Sequence, residues 1–481
     1  MSEVVTKELP EGWERVPLKD AVHIILGQSP SSSTYNQEGE GLPFFQGKTE
    51  FGKMYPTVRK WCTEPKKIAE QEDVLVSVRA PVGPTNLAPY ECAIGRGLAA
   101  LRPLGGSDSK YFLYLIRRYQ NNLAALGTGT TFEAISGDTL KNFLVPIAPL
   151  EQQKRIVAKI EELFFHIDAG IEALKKAKQL LKQYRQSVLK AAVTGELTKE
   201  WREANKDKLE PASQLLERIL AERENEYTRK LEKWEKGLAG WSNNGEKGKK
   251  PSKPQKIKVL DEISHSSNTS LWSIPENWSW IKLGNLAVDV FDGPFGSNLK
   301  SNDYVEDGVR VIRLENIGCL VFKDKKVTYI TEKKYETLKK HTVSAGDIIF
   351  SSFVAVGTRV VVLPDNIVKA INKADCFCVR AFGDSINATY LANFLSTTST
   401  YKRLENQVHG ATRPRINTTQ LKELEVPICS DLEQMEIVCL TGEKFEAIAR
   451  LEKEIDYQLI KAEKNKQSVL ASAFQGKITN G

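Results

Sequence analysis

Apolar positions along the chain follow two rhythms, and each rhythm occurs twice. Stretches 9–148 and 274–430 carry short apolar runs such as Asp347–Phe350 and Val360–Leu363, broken by Gly-Asp, Pro-Asp and Asp-Gly pairs. Runs of that length between turn-forming pairs predict the short strands of a mixed α/β domain. After each such stretch the rhythm changes. Ile160, Leu163, Ile167, Ile171, Leu174, Leu181, Tyr184 and Val188 recur at three- and four-residue steps, as do Ile448, Leu451, Ile455, Leu459, Ala462, Val469 and Ala473. Neither stretch contains proline, and Lys, Glu and Gln fill most intervening positions. A seam sustained for about six heptads predicts one long helix per copy, about 45 residues and roughly 65–70 Å in length. One narrow apolar stripe on a long helix needs a partner, and the nearest is the helix of the other copy. Antiparallel pairing is expected, since the connection between copies is long enough to allow it.

The repetition extends to individual residues. Leu9-Pro-Glu-Gly-Trp13 returns as Ile274-Pro-Glu-Asn-Trp278, and Asp73-Val-Leu-Val-Ser77 returns as Asp347-Ile-Ile-Phe-Ser351. Ile135–Pro146 matches Ile416–Pro427, Leu150-Glu-Gln152 matches Leu432-Glu-Gln434, and Gln186-Ser-Val-Leu189 is identical to Gln467-Ser-Val-Leu470. Gly195 and Gly476 close the two copies. Chance matches do not keep one order over so long a stretch, so the chain is a tandem duplication. The expected fold class is α+β. Two mixed α/β domains occupy 1–148 and 273–430, a central helix 149–195, a linker 196–272 and a distal helix 431–481.

The linker has no counterpart after Gly476. It predicts a helix from Pro211 to about Gly237 with Leu216, Leu220, Tyr227, Leu231 and Trp234 on one face. Asn243–Lys258, rich in lysine, reads as a disordered tether that supplies most of the net charge.

Composition adds bounds. A chain of 481 residues has room for about three domains. No apolar run reaches the roughly 18–20 residues that a membrane span needs, and the first residues lack an apolar signal core. A cytoplasmic protein with no membrane role is expected. Seven cysteines form no Cys-x-x-Cys pair, which argues for small buried hydrophobes in a reducing compartment and against a metal site. The net charge of +7 suits a nucleic-acid binder without requiring one.

The search for catalytic residues mostly fails. Gly41-Leu-Pro-Phe-Phe-Gln-Gly47-Lys48-Thr49 has the wrong spacing for a phosphate loop, and Pro43 with two Phe occupies the place of a backbone nest. Gly293-Pro-Phe-Gly296 is too short for a dinucleotide fingerprint. Neither an Asn-Pro-Pro-Tyr-like stretch for a flipped base nor a Glu-x-Lys after Pro364-Asp365 exists, and five histidines lie scattered. Neither a catalytic site nor a bound cofactor or metal is expected.

Two similar, non-identical domains on a fixed spacer suit a ligand with two unequal half-sites, and DNA is such a ligand. The Pro-Glu-Gly-Trp13 opening, Asp73-Val-Leu-Val-Ser-Val-Arg-Ala-Pro-Val-Gly83, Ile94-Gly-Arg-Gly97 and Pro149-Leu-Glu-Gln-Gln-Lys-Arg-Ile-Val157 resemble the specificity subunit of type I restriction-modification enzymes. The resemblance runs over essentially the whole chain. The second copy departs from it, with Ser351-Ser-Phe-Val-Ala355 in place of Ser-Val-Arg-Ala-Pro and no Ile-Gly-Arg-Gly. The resemblance implies two target-recognition domains, each reading half of a split asymmetric site in double-stranded DNA. It implies an antiparallel coiled coil with pseudo-twofold symmetry whose length sets the unread gap. It also implies two methyltransferase subunits that use S-adenosylmethionine to methylate adenine N6, and two restriction-translocase subunits that use ATP and magnesium. Those cofactors belong to the partners, and this chain is the non-catalytic subunit.

Base edges and phosphates select for Arg, Lys, Asn, Gln and Thr. First-copy candidates are Gln46, Lys48, Thr49, Arg79, Arg96, Thr130 and Thr131. Second-copy candidates are Asn298, Lys300, Arg313, Asn316, Arg359, His409, Arg413 and Arg415, with Arg413-Pro-Arg415 aligned to Thr131-Phe-Glu133. Ile160, Leu163, Ile167, Leu174, Leu181, Val188, Ile448, Leu451, Ile455, Leu459 and Val469 form the expected scaffold seam. Solvated surface or an internal ion pair is the competing reading for each DNA candidate. A coiled-coil scaffold that binds proteins, or the specificity subunit of a methylation-only system, would be the alternatives for the whole chain.

Overall fold

The computed structural model describes residues 9–128, 134–248, 250–261, 272–354, 357–408 and 414–478. The chain divides into two units, Met1–Lys178 with Lys453–Gly481, and Gln179–Glu452. The division therefore runs through both long helices.

Each unit repeats one architecture. In the first, a four-stranded antiparallel sheet has the order Val22–Leu26, Leu98–Pro103, Val74–Ser77, Thr85–Leu87. A five-stranded sheet has the order Tyr35–Asn36, Trp61–Cys62, Leu42–Phe45, Cys92–Ile94, Ile68–Ala69, with Leu42–Phe45 and Cys92–Ile94 parallel. The second unit has Ala287–Phe291, Cys376–Ala381, Ile348–Ser351, Val360–Val362 in the same order. Its five-stranded sheet runs Tyr304–Val305, Tyr329–Ile330, Val309–Ile312, Ala370–Asn372, Thr342–Val343, again with one parallel pair. A two-stranded ribbon joins Glu14–Pro17 to Leu144–Ile147, and another joins Ser279–Lys282 to Glu425–Ile428.

The apolar runs are continuous because their strands are buried on both faces. Val74 and Val76 meet the core beneath helix Ser109–Arg118, while Leu75 faces the core of the five-stranded sheet. Ile348 and Phe350 likewise face helix Ala388–Leu395, and Ile349 faces the opposite way. The acid that begins each run is buried and paired: Arg102 reaches Asp73 through Nε and Nη2 at 3.0 and 2.9 Å, and Arg380 reaches Asp347 at 2.8 and 2.6 Å. Such bidentate bonds offset the desolvation of the carboxylate.

The two long helices are Leu150–Val193 and Asp431–Ala473, 44 and 43 residues. Their first turns fix the repeat register. The Gln153 Nε2 donates to Ala148 O at 2.9 Å, and Gln434 Nε2 donates to Cys429 O at 3.0 Å. Trp13 Nε1 donates to Gln152 Oε1 at 2.8 Å, and Trp278 Nε1 donates to Glu433 Oε2 at 2.9 Å. Gln152 thus corresponds to Glu433 and Gln153 to Gln434, one residue away from the Leu-Glu-Gln match read from sequence. At the far ends, Gly195 and Gly476 have φ +78° and +70°, and a Cβ there would lie 2.4 Å from Pro275 Cγ and 2.3 Å from Pro10 Cγ respectively. Both positions demand glycine for conformation and for room.

Of the seam residues, Ile160, Val188, Ile448 and Ile455 are buried, while Leu163, Ile167, Leu174, Leu181, Leu459 and Val469 are half-buried. Leu451 is corrected: it is 53% exposed. The stripe steps by four from Ile448 to Glu452, which pairs with Arg185 at 3.3 Å, and then by three to Ile455. In the first unit Lys466 pairs with Asp168 at 2.6 Å, and Lys178 pairs with Asp456.

The linker helix extends over Ala212–Asn243 and buries Ala212, Leu215, Ile219 and Arg223. The expected disordered tether is also corrected. It returns along this helix, with Lys250, Lys253 and Lys256 over the rings of Trp241, Trp234 and Tyr227 at 5.7, 5.7 and 5.8 Å. Three residues of extended chain rise about as far as seven of helix, so lysines spaced by three meet aromatics spaced by seven. Among the described residues no helix is long and apolar enough to cross a membrane. Five of the seven cysteines are buried as expected, but Cys319 and Cys439 are exposed.

Candidate nucleic-acid interface

In each unit three strand ends meet at one edge and build the same backbone frame. In the first unit Gly95 N donates to Phe45 O at 2.9 Å, Val78 N to Gly97 O at 2.9 Å, and Ile135 N to Val78 O at 3.0 Å. In the second, Lys373 N donates to Ile312 O, Ser352 N to Asp375 O, and Ile416 N to Ser352 O at 2.9, 2.9 and 3.0 Å. These bonds equate Gln46 with Arg313, Arg79 with Phe353, Arg96 with Ala374, Gly97 with Asp375 and Ala134 with Arg415. The Arg79–Ala134 and Phe353–Arg415 bridges agree. The counterpart of Arg415 is therefore Ala134, which corrects the alignment to Glu133.

The frame needs close approach in the first unit, where a Cβ on Gly97 would lie 2.3 Å from Gln46 O. That spacing explains Ile94-Gly-Arg-Gly97: the glycines let two strand ends touch, and Arg96 stands out between them. Gln46, Lys48, Thr49, Arg79 and Arg96 are all exposed, and their side chains have no hydrogen-bond or ion-pair partner among the described residues. Phe44 and Phe45 are buried beneath them and fix the strand that delivers them.

The second unit treats its cations differently. Arg415 lies 4.6 Å over the Phe353 ring and pairs with Asp375 at 3.4 Å, and Asp375 also accepts from Ser352 Oγ at 2.9 Å. Arg313 pairs with Glu315 at 3.2 Å and lies 5.6 Å over Tyr304. Arg359 donates to Ser351 Oγ at 3.2 Å and bears on Leu314 O at 3.4 Å, which makes it a brace of the frame. Asn298 and Lys300 are exposed and without a side-chain partner among the described residues.

Asn316 is corrected. It is fully buried, its Oδ1 accepts from Arg313 N at 2.9 Å, and its Nδ2 donates to Lys323 O and Lys325 O at 3.0 Å each. Its amide shapes the loop and has nothing left for DNA. Thr130, Thr131, His409 and Arg413 lie outside the described residues.

Sequence reasoning missed Lys373, Asp375, Phe353 and Tyr304. Lys373 donates to Tyr304 Oη at 2.7 Å, and these residues gather through strand ends far apart in the chain. It also missed Asp292, where burial raises the carboxyl pKa to about 6, opposed by the Gly293 amide and reinforced by Asp375. Among the described residues no group of His, Cys, Asp and Glu is arranged to hold a metal. The two edges share a backbone frame and differ in charge: the first presents Lys48, Arg79 and Arg96 to solvent, whereas the second pairs Arg313 and Arg415 with carboxylates.

Comparison with known proteins bears on the family of the chain. A family model described as the type I restriction modification DNA specificity domain matches residues 10–182 and again 275–473. A protein of Methanocaldococcus jannaschii assigned as the type I restriction enzyme MjaX specificity subunit is 39% identical over 193 residues, 40% of this chain and 44% of that protein. The type I restriction enzyme EcoBI specificity subunit of Escherichia coli is 24% identical over 473 residues, 98% of this chain and 87% of that one. The crystal structure of the HsdS subunit from Thermoanaerobacter tengcongensis is 47% identical over 36% of this chain and 41% of that chain, with a TM-score of 0.32. The matched region thus spans less than half the length of the archaeal relative and of the crystallised subunit. With the family model covering both repeats, the chain belongs to the type I restriction-modification DNA specificity family.

Proposed function

We propose that each unit reads one half of a split, asymmetric DNA site, and that the chain acts as the non-catalytic recognition subunit of a restriction-modification complex. The observation that carries this reading is the shared frame with exchanged side chains: Gln46 against Arg313, Arg79 against Phe353, Arg96 against Ala374, Ala134 against Arg415. A structural surface would drift at random, whereas a pair of half-site readers keeps its scaffold and changes its edge. We assign Gln46, Lys48, Thr49, Arg79 and Arg96 to the first half-site and Asn298, Lys300, Arg313 and Arg415 to the second.

The long helices act as the ruler between half-sites. Opposite charges at Asp168–Lys466, Lys178–Asp456 and Arg185–Glu452, in reversed residue order, support antiparallel pairing with pseudo-twofold symmetry. On this scaffold two methyltransferase subunits dock, and two restriction-translocase subunits complete the restriction form. Their S-adenosylmethionine, ATP and magnesium lie outside this chain.

Methylome sequencing of host DNA with and without the gene tests the reading. Loss of one split N6-methyladenine motif on deletion is expected. Reconstituted complex that binds no split duplex above random duplex sinks it and favours a protein-binding scaffold. Insertion of whole heptads within Lys159–Lys190 should lengthen the gap and leave both half-site sequences unchanged.

A further inference from the structure

The identical Gln-Ser-Val-Leu motifs sit against unlike surroundings. In the second unit Gln186 Oε1 accepts from Thr398 Oγ1 at 2.9 Å, and the adjoining Ser396 and Thr397 hydroxyls close back onto Asn393 O and Phe394 O at 2.8 and 2.9 Å. Tyr390 and Tyr111 hold equivalent places, each donating to the proline carbonyl of its ribbon, Pro427 or Pro146. Counting from them, Arg117 and Arg118 stand where Ser396 and Thr397 stand. In the first unit that place is open: Arg117, Arg118, Gln120, Asn121, Gln467 and Ser468 line a cleft of about 410 Å³.

The cleft is cationic without local compensation. Arg117 is held by Lys53 O at 2.9 Å, Thr85 O at 3.2 Å and Thr85 Oγ1 at 3.1 Å, all neutral acceptors. Burial pushes its guanidinium below the usual value. Arg118 lies 5.2 Å over Tyr119, and neither arginine pairs with a carboxylate among the described residues. Two half-buried guanidiniums without a counter-ion, backed by amide and hydroxyl donors, fit an oxyanion supplied from outside. Its source is set by position. Gln120 lies against Gly83, where a Cβ would come within 2.4 Å of Gln120 Cγ, and Gly83 closes the turn that carries Arg79.

We propose that this cleft seats a DNA backbone phosphate beside the first half-site, gripped by Arg118 with Arg117 behind it, and that the second unit lacks the counterpart. This rests on the DNA-reading function above. The cleft supplies affinity and register on that side and no base discrimination.

The test uses the full chain reconstituted with its methyltransferase partner. Binding to matched and mismatched duplexes is titrated against salt for wild type, Arg118→Gln and Arg118→Lys. The glutamine variant should flatten the slope of log K against log salt by about 0.9, lowering affinity for both duplexes by the same factor, while the lysine variant keeps the slope. A methylphosphonate scan should find one position flanking the first half-site that weakens wild type and leaves Arg118→Gln unaffected. An unchanged slope, or a loss confined to the matched duplex, overturns the proposal. So does failure of the glutamine variant to assemble, which would give the cleft to a partner carboxylate. Wild type that fails to discriminate the duplexes defeats the DNA-reading function instead.

Discussion

The two helix starts hold the same tryptophan by different means. In the first unit Trp13 donates to the neutral Gln152, and in the second Trp278 donates to Glu433, a carboxylate with no exposed surface. That charge is compensated by the linker: Arg202 Nη1 and Thr198 Oγ1 each donate to Glu433 Oε1 at 2.7 Å. The arginine belongs to the linker that follows the central helix and turns back onto the second unit. The corresponding first-unit position, Gln152, is uncharged and needs no such partner. The same framework position thus carries a buried charge where an arginine packs against it and a neutral amide where none does.

The largest effect should come from breaking that arrangement. Arg202→Ala leaves a buried carboxylate unpaired and should destabilise the second unit by about 3–5 kcal/mol in urea unfolding. Arg202→Gln combined with Glu433→Gln should recover most of the loss, because it recreates the first unit's solution. An Arg202→Ala variant as stable as wild type would show that solvent reaches Glu433.

Next in size is the reading edge. Arg415→Ala should relax discrimination at one position of the second half-site by about 1–3 kcal/mol, and Arg79→Ala should do so in the first half-site only. Competition binding with duplexes altered in one half checks this. Effects of either variant on both half-sites would contradict modular reading.

Gly195→Ala and Gly476→Ala should each cost about 1–2 kcal/mol from the left-handed backbone alone, with added loss from the abutting prolines. Similar losses in thermal melts would confirm equivalent roles, and a tolerated Gly476→Ala would mark the distal end as looser.

The smallest expected effect concerns pH. Asp292 has its pKa raised to about 6, so the folded state holds the proton more tightly than the unfolded chain. Its contribution to stability therefore falls as pH rises from about 4 to about 6 and is level above that. Neutral Asp292 also repels phosphate less, so binding of the second half-site should strengthen a few-fold between pH 7.5 and 5.5. Asp292→Asn should remove that dependence, and first half-site contacts should not share it.

Much of this was legible in the residues. The duplication and the strand-rich and helical halves followed from repetition, turn pairs and apolar period, whereas Gln46, Lys48, Arg79 and Arg96 were chosen by residue type and family resemblance. The lysine tether was misread because composition shows charge but not the register of lysine on tryptophan and tyrosine rings. Asn316 was misread because loop asparagine serves DNA and loop closure equally well until its partners are known. Leu451 was misread because steps of three and four are equivalent on paper.

The sequence by itself determined that one architecture occurs twice and that the two copies differ at polar positions, because repetition and period are properties of order along the chain. The tertiary structure decided which residues correspond. Backbone bonds at the sheet edge matched Arg415 to Ala134, tryptophan indole bonds matched Glu433 to Gln152, and strand ends gathered Gln46, Arg79 and Arg96 onto one edge. Such pairings are set by bonds between segments distant in the chain.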